Sequence, residues 1–145
     1  MAKWTIKLGA NELNALMKRE FGGSDIATGP VKSVAPGRIG VVAKFDPSML
    51  RPGGLVSGTV LMSIADTAAY NLILAHVGPE LMAVTSSLTI NFLRGAKPGD
   101  IHADADLLSL GRRLAVCDVR LWTESPDRLA AQATVTYARA ASVAT

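Results

Sequence analysis

Asp66 lies in the most apolar stretch of the chain, and no other side chain within residues 52–79 carries a full charge at neutral pH. Residues 57–75 are rich in helix formers and too numerous for a strand, so they predict a buried helix with an acid near its middle. A buried carboxylate is normally hydrogen-bonded, ion-paired or used in chemistry, because burying it alone is costly. Two interpretations stay open here: a structural acid bonded to Ser63, Thr67 or a backbone amide, and a catalytic carboxylate.

The segment in front of this helix favours the catalytic interpretation. Residues 51–58 read Arg-Pro-Gly-Gly-Leu-Val-Ser-Gly, a turn-rich sequence that runs directly into the helix with Ser57 as the candidate N-cap. A helix N-terminus presents free N–H groups and the positive end of the helix dipole, which can polarise a carbonyl or hold an oxyanion. Asp66 follows about two turns later, so the donors and the carboxylate lie on one helix.

Composition narrows the class of protein. With 145 residues, 49% of them hydrophobic, the chain predicts one compact domain over residues 1–145, in which residues 1–24 form an extension and a short helix. The net charge of +3 comes from scattered cations, and aromatic residues are few, so we expect an anionic small ligand and no nucleic acid. Cys117 fits an apolar strand as a core residue, and a single cysteine suits a reducing, cytoplasmic compartment. We expect neither a secretory signal nor membrane insertion, because the start of the chain lacks an apolar core and polar residues interrupt the long helix.

The remaining segments predict the elements that position this helix. Residues 11–21 carry apolar side chains on one face and stop at two glycines, which indicates a short amphipathic helix. The turns after the long helix are too short for crossover helices, so the strands there should form an antiparallel meander. Alternation within the first of them places Thr85 and Leu88 on opposite faces. The expected class is α+β, an antiparallel sheet wrapped around one long helix, with strands at residues 31–34, 38–45, 82–93, 101–110, 114–123 and 128–139.

Two local motifs point to a family. Residues 54–68 read Gly-Leu-Val-Ser-Gly-Thr-Val-Leu-Met-Ser-Ile-Ala-Asp-Thr-Ala, and residues 83–94 lead into the Ala-Lys-Pro-Gly-Asp turn that ends at Asp100. The first segment resembles the pattern G-x-x-H-G-G-x-x-x-x-L-A-D-x-A of the hotdog-fold acyl-CoA thioesterases, in particular the PaaI-like, phenylacetate-type branch, and the second segment is similar to the second signature of that family. The resemblance covers about residues 45–137 and implies the hotdog fold.

The resemblance also implies catalytic roles. Asp66 falls on the family's catalytic carboxylate, a general base or nucleophile, and Thr85 falls on a hydroxyl residue that assists the reaction. The amides of Gly58 and Thr59 are implied as oxyanion donors. Hotdog relatives build the site across a dimer interface, which would put Thr85 on the subunit opposite Asp66. Ser57 stands where the family has a histidine, a departure that bears on rate and mechanism.

Further residues are expected at the substrate. Arg51 replaces an Asn or Gln of the family and is either an anion contact or a solvated side chain. Met62 and Tyr70 lie four residues to either side of Asp66 on the same helical face. The phosphates of coenzyme A need positive charge near the pocket mouth. The candidates for that charge are Arg94, Lys97 and the turn formed by Gly111, Arg112 and Arg113.

The expected activity is hydrolysis of an acyl-CoA thioester, with coenzyme A as part of the substrate and with no separate cofactor or metal. The expected assembly is a homodimer that pairs again into a tetramer. One alternative is a non-catalytic acyl-CoA or fatty-acyl binding protein of the same fold, which the missing histidine permits. A second is a hotdog hydratase or dehydratase, which ranks last because no histidine lies near Asp66 in the sequence.

Overall fold

The computed structural model describes residues 3–22 and 30–140. Helix α1 (Ala10–Phe21) precedes a hairpin of β1 (Val31–Ala35) and β2 (Arg38–Ala43). A 3-10 turn (Pro47–Met49) and a short hairpin of β3 (Leu50–Arg51) and β4 (Leu55–Val56) lead into α2 (Gly58–Val77). The chain continues through β5 (Val84–Phe92), β6 (Ile101–Leu110), β7 (Leu114–Trp122) and β8 (Ala131–Ala138). The predicted α+β class, a long helix against an antiparallel sheet, is confirmed; Gly23, one of the two glycines predicted to end α1, lies outside the described residues.

Six of the strands form one antiparallel sheet in the order β1-β2-β6-β7-β8-β5. The predicted meander holds for β6, β7 and β8, but it is wrong for β5, which pairs with β8 rather than with β6. The edge of β1 is covered, because the Asn14 side chain both donates to and accepts from the backbone of Val31 at 2.9 and 2.8 Å. No described element pairs with the outer edge of β5, so that edge is open.

Helix α2 forms the centre of the core. Ile64, Leu72, Ile73 and Leu74 are 0% exposed, and the helix packs on the inward faces of β2, β6, β7 and β8. Burial of each of these side chains contributes roughly 1.5–3 kcal/mol. By length and composition α2 could cross a membrane, but 67% of its apolar window is buried inside this domain. The sheet therefore holds the helix, and the helix holds Asp66.

The residues before α1 cap the far end of α2. Backbone N–H groups of Lys7 and Leu8 donate to the Ala75 carbonyl at 2.7 and 3.1 Å. The Trp4 ring lies against Gly37, where an added Cβ would come within 2.4 Å of the indole. The sequence predicted this segment only as an extension. In the structure it satisfies a carbonyl that the end of a helix leaves without a partner.

A bulge in β5 determines which way the side chains near the beginning of this strand face. The pairing with β8 shifts after Thr85, so Thr85 lies opposite Tyr137, while Leu88 lies opposite Val135. Tyr137 and Val135 both occupy the buried, helix-facing side of β8, so Thr85 and Leu88 share that side. The prediction that they lie on opposite faces is wrong, because Ser86 is an extra residue in the strand.

Candidate active site

The Asp66 carboxylate is half-buried, not fully buried as predicted, and two hydroxyl groups hold it. Thr85 Oγ1 donates to its Oδ1 at 2.6 Å, and Tyr137 Oη donates to the same oxygen at 2.9 Å. The interpretation of Asp66 as a structural acid named Ser63 and Thr67 as its partners. These partners are wrong, because the Thr67 hydroxyl donates instead to the Ser63 carbonyl at 2.9 Å. The carboxylate thus points away from its own helix, toward β5 and β8.

Both donors belong to the same chain as Asp66. The expectation that Thr85 lies on the opposite subunit is wrong, because the β5 bulge turns its side chain toward α2 within one chain. Tyr137 was missed by the sequence analysis, since it occupies an ordinary inward position in an alternating strand. Burial, with the nearby Asp66 charge, raises the pKa of Tyr137, so its hydroxyl stays protonated and donates at neutral pH.

A cavity of about 300 Å³ opens beside the carboxylate. This volume is at the lower end of the range for small-molecule pockets. Tyr70 lines it as predicted, and its hydroxyl donates to the Leu81 carbonyl at 2.8 Å. Met62 does not line it and is 38% exposed, so its expected contact with substrate is not part of this cavity. The other apolar walls come from α1 and from the residues before and at the start of β5, namely Met17, Phe21, Ala83 and Val84.

The N-terminus of α2 forms as predicted. The Ser57 Oγ accepts from the Val60 N–H at 3.4 Å and lies 3.1 Å from the Thr59 hydroxyl. Within the described residues, the N–H groups of Gly58 and Thr59 have no acceptor. Gly58 is eight residues from Asp66, which is about 12 Å along a helix. To act on one thioester, the amide would have to lie within about 3 Å of the carbonyl oxygen and the carboxylate within about 3 Å of the carbonyl carbon. The Gly58 amide and the Asp66 carboxylate of one chain are too far apart to do both.

The Gly111-Arg112-Arg113 turn lies at the same end of the sheet as the cavity. Arg112 and Arg113 are exposed there. The Arg139 N–H donates to the Arg113 carbonyl at 2.7 Å, and the Arg139 guanidinium donates to the Gly111 carbonyl at 2.8 Å. Arg139 follows Tyr137 by two residues, so these bonds fix the turn and its two free cations near the cavity.

Arg94 and Arg51 lie away from the carboxylate in this chain. Arg94 is exposed just beyond the end of β5, nine residues from Thr85, or about 30 Å along an extended strand. Arg51 is exposed in β3, where its Nε donates to the Pro52 carbonyl at 3.2 Å. The sequence made Arg94 a candidate contact for the phosphates of coenzyme A and left Arg51 as either an anion contact or a solvated side chain. Within one chain the structure brings neither to Asp66.

The remaining residues of chemical interest are engaged elsewhere. His76 is buried, with Nδ1 2.8 Å from the Leu72 carbonyl and Nε2 accepting the Gly37 N–H at 2.9 Å. His102 stacks on a tryptophan ring. Cys117 is fully buried, and burial raises the pKa of its thiol to about 12, as suits the predicted core residue. Over the described ranges, no group of three or more His, Cys, Asp or Glu residues is placed to hold a metal ion.

Comparison with known proteins relates this arrangement to a family. A sequence profile of the thioesterase superfamily matches residues 53–130. The structure of a protein from Silicibacter sp. TM1040, described as a thioesterase, is 33% identical and aligns with a TM-score of 0.83 over 92% of this chain and 93% of its own. A protein from Saccharolobus solfataricus, described as an esterase, is 28% identical over 134 residues, 90% of this chain and 85% of that protein.

A phenylacetic acid degradation-related protein from Ralstonia eutropha JMP134 has the same fold, with a TM-score of 0.72 at 23% identity over 86% of this chain and 99% of its own. The region that the family profile matches contains the whole of α2, β5, β6 and β7, and with them Gly58, Asp66 and Thr85. The chain belongs to the thioesterase superfamily.

Proposed function

We propose that this protein is an acyl-CoA thioesterase, which hydrolyses a thioester to a free acid and coenzyme A. The observation that carries the proposal is the Asp66 carboxylate, held on one oxygen by Thr85 and Tyr137 beside a mainly apolar cavity. Its second oxygen, Oδ2, has no protein partner among the described residues. A fixed carboxylate with one free oxygen, next to a pocket for an acyl group, suits attack on a thioester.

Asp66 would activate that attack by one of two balanced routes. As a nucleophile, the Asp66 oxygen adds to the carbonyl carbon and forms a mixed anhydride, and coenzyme A leaves as a thiolate that takes a proton from water, leaving hydroxide. Hydroxide then cleaves the mixed anhydride to the free acid and the Asp66 carboxylate. As a general base, it takes a proton from an attacking water and passes that proton to the leaving thiolate. An acyl adduct on Asp66 in rapidly quenched enzyme would mark the first route.

Either route builds negative charge on the carbonyl oxygen. The N–H donors that stabilise this charge would come from a second copy of the chain. The free edge of β5 exposes Val84, Phe92 and the following Leu93 by 59%, 53% and 54%. An open strand edge with exposed apolar side chains pairs readily with another strand. Two copies joined along β5 would form one continuous sheet.

The register of such a pairing would complete the site. If two antiparallel β5 strands pair about their middle residue, Leu88, then Phe92 of one copy lies beside Val84 of the other. Phe92 packs on the start of α2, since a Cβ added at Gly58 would lie 3.0 Å from its ring. The Gly58 and Thr59 amides of the second copy would therefore approach the Asp66 carboxylate of the first. In this arrangement each active site would use two subunits. One subunit would supply Asp66 together with Thr85, and the other would supply the N-terminus of α2.

The same arrangement accounts for the substrate. The acyl group would enter the cavity lined by Tyr70, and the nucleotide phosphates would meet Arg112 and Arg113 at the adjacent turn. Arg94 of the second copy, which follows the far end of its β5, would come to the same end of the sheet. These cations are exposed, so they would add to binding of coenzyme A rather than to the chemical step.

The test is thiol release from short, medium and aryl acyl-CoA substrates by the wild type, Asp66→Asn and a matched control, Asp127→Asn. Asp127 is exposed in a turn, so its variant should match the wild type. Asp66→Asn should lose about 10²-fold or more in kcat while circular dichroism stays unchanged. Undiminished turnover by Asp66→Asn would disprove the assignment. Calorimetric binding of acyl-CoA without turnover by the wild type would support the binding-protein alternative, with Ser57 in place of histidine as its reason.

A further inference from the structure

Both packing and hydrogen bonding fix the orientation of the Tyr137 side chain. Its side chain is 4% exposed, and its ring packs on Tyr70 with centroids 5.7 Å apart. Its hydroxyl donates to Asp66 Oδ1 at 2.9 Å and lies 3.2 Å from the main-chain carbonyl of the same residue. Packing on the ring and the pairing of β8 with two neighbours therefore fix the direction of this O–H group.

Two donors converge on a single carboxylate oxygen. Thr85 and Tyr137 are direct partners in the β5–β8 ladder, and both hydroxyls reach Asp66 Oδ1, at 2.6 and 2.9 Å. Two bonds from two strands to one oxygen prevent rotation of the carboxylate and leave Oδ2 without a partner among the described residues.

We propose that Tyr137 is a positioning residue for the reaction: together with Thr85 it holds Asp66 Oδ1, so that Oδ2 is the oxygen that acts on the substrate or on water. This inference rests on the proposed thioesterase function and adds a residue outside the region that the family profile matches, which ends at residue 130. Tyr137 would act through Asp66, and its hydroxyl would not touch the thioester carbonyl.

A purely structural role for Tyr137 makes a different prediction. In that case the hydroxyl only needs an acceptor, and the Asp66 main-chain carbonyl already offers one. Its removal would then lower stability and leave the rate constant intact. A positioning role requires instead that the chemical step slows while substrate affinity stays the same, because the ground-state contacts of the acyl group do not involve this hydroxyl.

The experiment compares Tyr137→Phe with Thr136→Val. The first keeps the ring and removes only the hydroxyl; the second removes a hydroxyl from the adjacent, outward-facing residue of β8. We measure Tm, and we measure kcat and KM on the best acyl-CoA substrate. Tyr137→Phe should lower kcat by about 10- to 100-fold with KM within about twofold, as expected for the loss of one hydrogen bond to a charged group. Thr136→Val should match the wild type.

The outcomes separate this inference from the function on which it rests. A wild-type kcat in Tyr137→Phe, with only Tm lowered, would overturn the positioning role and leave Asp66-dependent hydrolysis standing. A wild type that hydrolyses no acyl-CoA would overturn both. If Tyr137→Phe does not fold, Thr85→Val removes the second donor to the same oxygen, and a wild-type kcat in that variant would equally overturn the inference that Oδ1 must be held.

Discussion

The Gly58 amide can be removed without disturbing the helix that it begins. Gly58 is the first residue of α2, and Ser57 before it has φ −68° and ψ 148°, the extended backbone that a residue before proline prefers. Gly58→Pro therefore suits the start of the helix and deletes the N–H group. The added Cβ would meet the Phe92 ring at 3.0 and 3.2 Å, but that ring is more than half exposed in one chain and has room to shift.

Gly58→Ala is the matched control, because it adds the same Cβ and keeps the N–H group. Removal of one oxyanion donor typically lowers kcat by about 10²–10³-fold, so Gly58→Pro should lose that much activity. Gly58→Ala should stay within about threefold of the wild type, since only the Phe92 ring has to move. The assay is steady-state hydrolysis of the best acyl-CoA substrate, with Tm measured for both variants. Equal activity of the two variants would contradict the assignment of this amide as a donor.

The proposal that each active site is shared between two subunits makes a sharper prediction for mixtures of variants. In a dimer of one Gly58→Pro chain and one Asp66→Asn chain, one site carries both substitutions and the other carries neither. Equal amounts of the two inactive variants, unfolded and refolded together, assort at random, so half the dimers are mixed and about a quarter of the wild-type activity returns. The variants refolded separately and then combined on ice are the control. Co-refolded protein no more active than its parents would refute a site shared between subunits.

Three further outcomes are expected. Burial raises the pKa of the Cys117 thiol from 9.0 to about 12, so Cys117 should not react with a thiol reagent at pH 8 until the protein unfolds. The contribution of the buried thiol to stability is complete below about pH 9 and falls as the pH rises toward 12. Denaturant midpoints measured across that pH range would show this fall. Arg112→Ala combined with Arg113→Ala should raise KM for acyl-CoA about tenfold and leave KM for the matching acyl-N-acetylcysteamine unchanged; equal effects on both substrates would remove the turn from the nucleotide site. Leu72→Ala should lower the free energy of unfolding by about 2–5 kcal/mol, measured by urea titration, because Leu72 is fully buried in the core.

Local pattern was enough to predict the main elements. A run of helix formers around Asp66 predicted α2, because that signal lies within one segment. The local pattern also predicted β6 and β7 to within one residue at each end, and it placed the start of β8 three residues too early. The pairing of β5 with β8 was out of reach, since it depends on how the whole sheet curves around the helix. The same holds for the two-residue strands β3 and β4, which are too short to show a period.

The site was predicted in part. Asp66 was found from its isolation in an apolar helix and from its motif, whereas Thr85 was found from the motif resemblance alone. Their contact is confirmed, although in one chain instead of across two. Tyr137 could not be found, because an inward tyrosine in an alternating strand looks like any core residue. Phe21 was assigned to the packing face of α1, and only the structure shows that the end of this face lines the cavity.

The bulge at Ser86 gives β5 a second hydroxyl residue that can take the place of Thr85. Thr85 now lies opposite Tyr137, and Ser86 is the residue left over. If the strand straightened into a regular ladder from Leu88 onward, Ser86 would take the position opposite Tyr137 and face α2. A hydroxyl would then still be presented toward Asp66, so two adjacent hydroxyl residues protect this function of the strand against a slip in register by one residue.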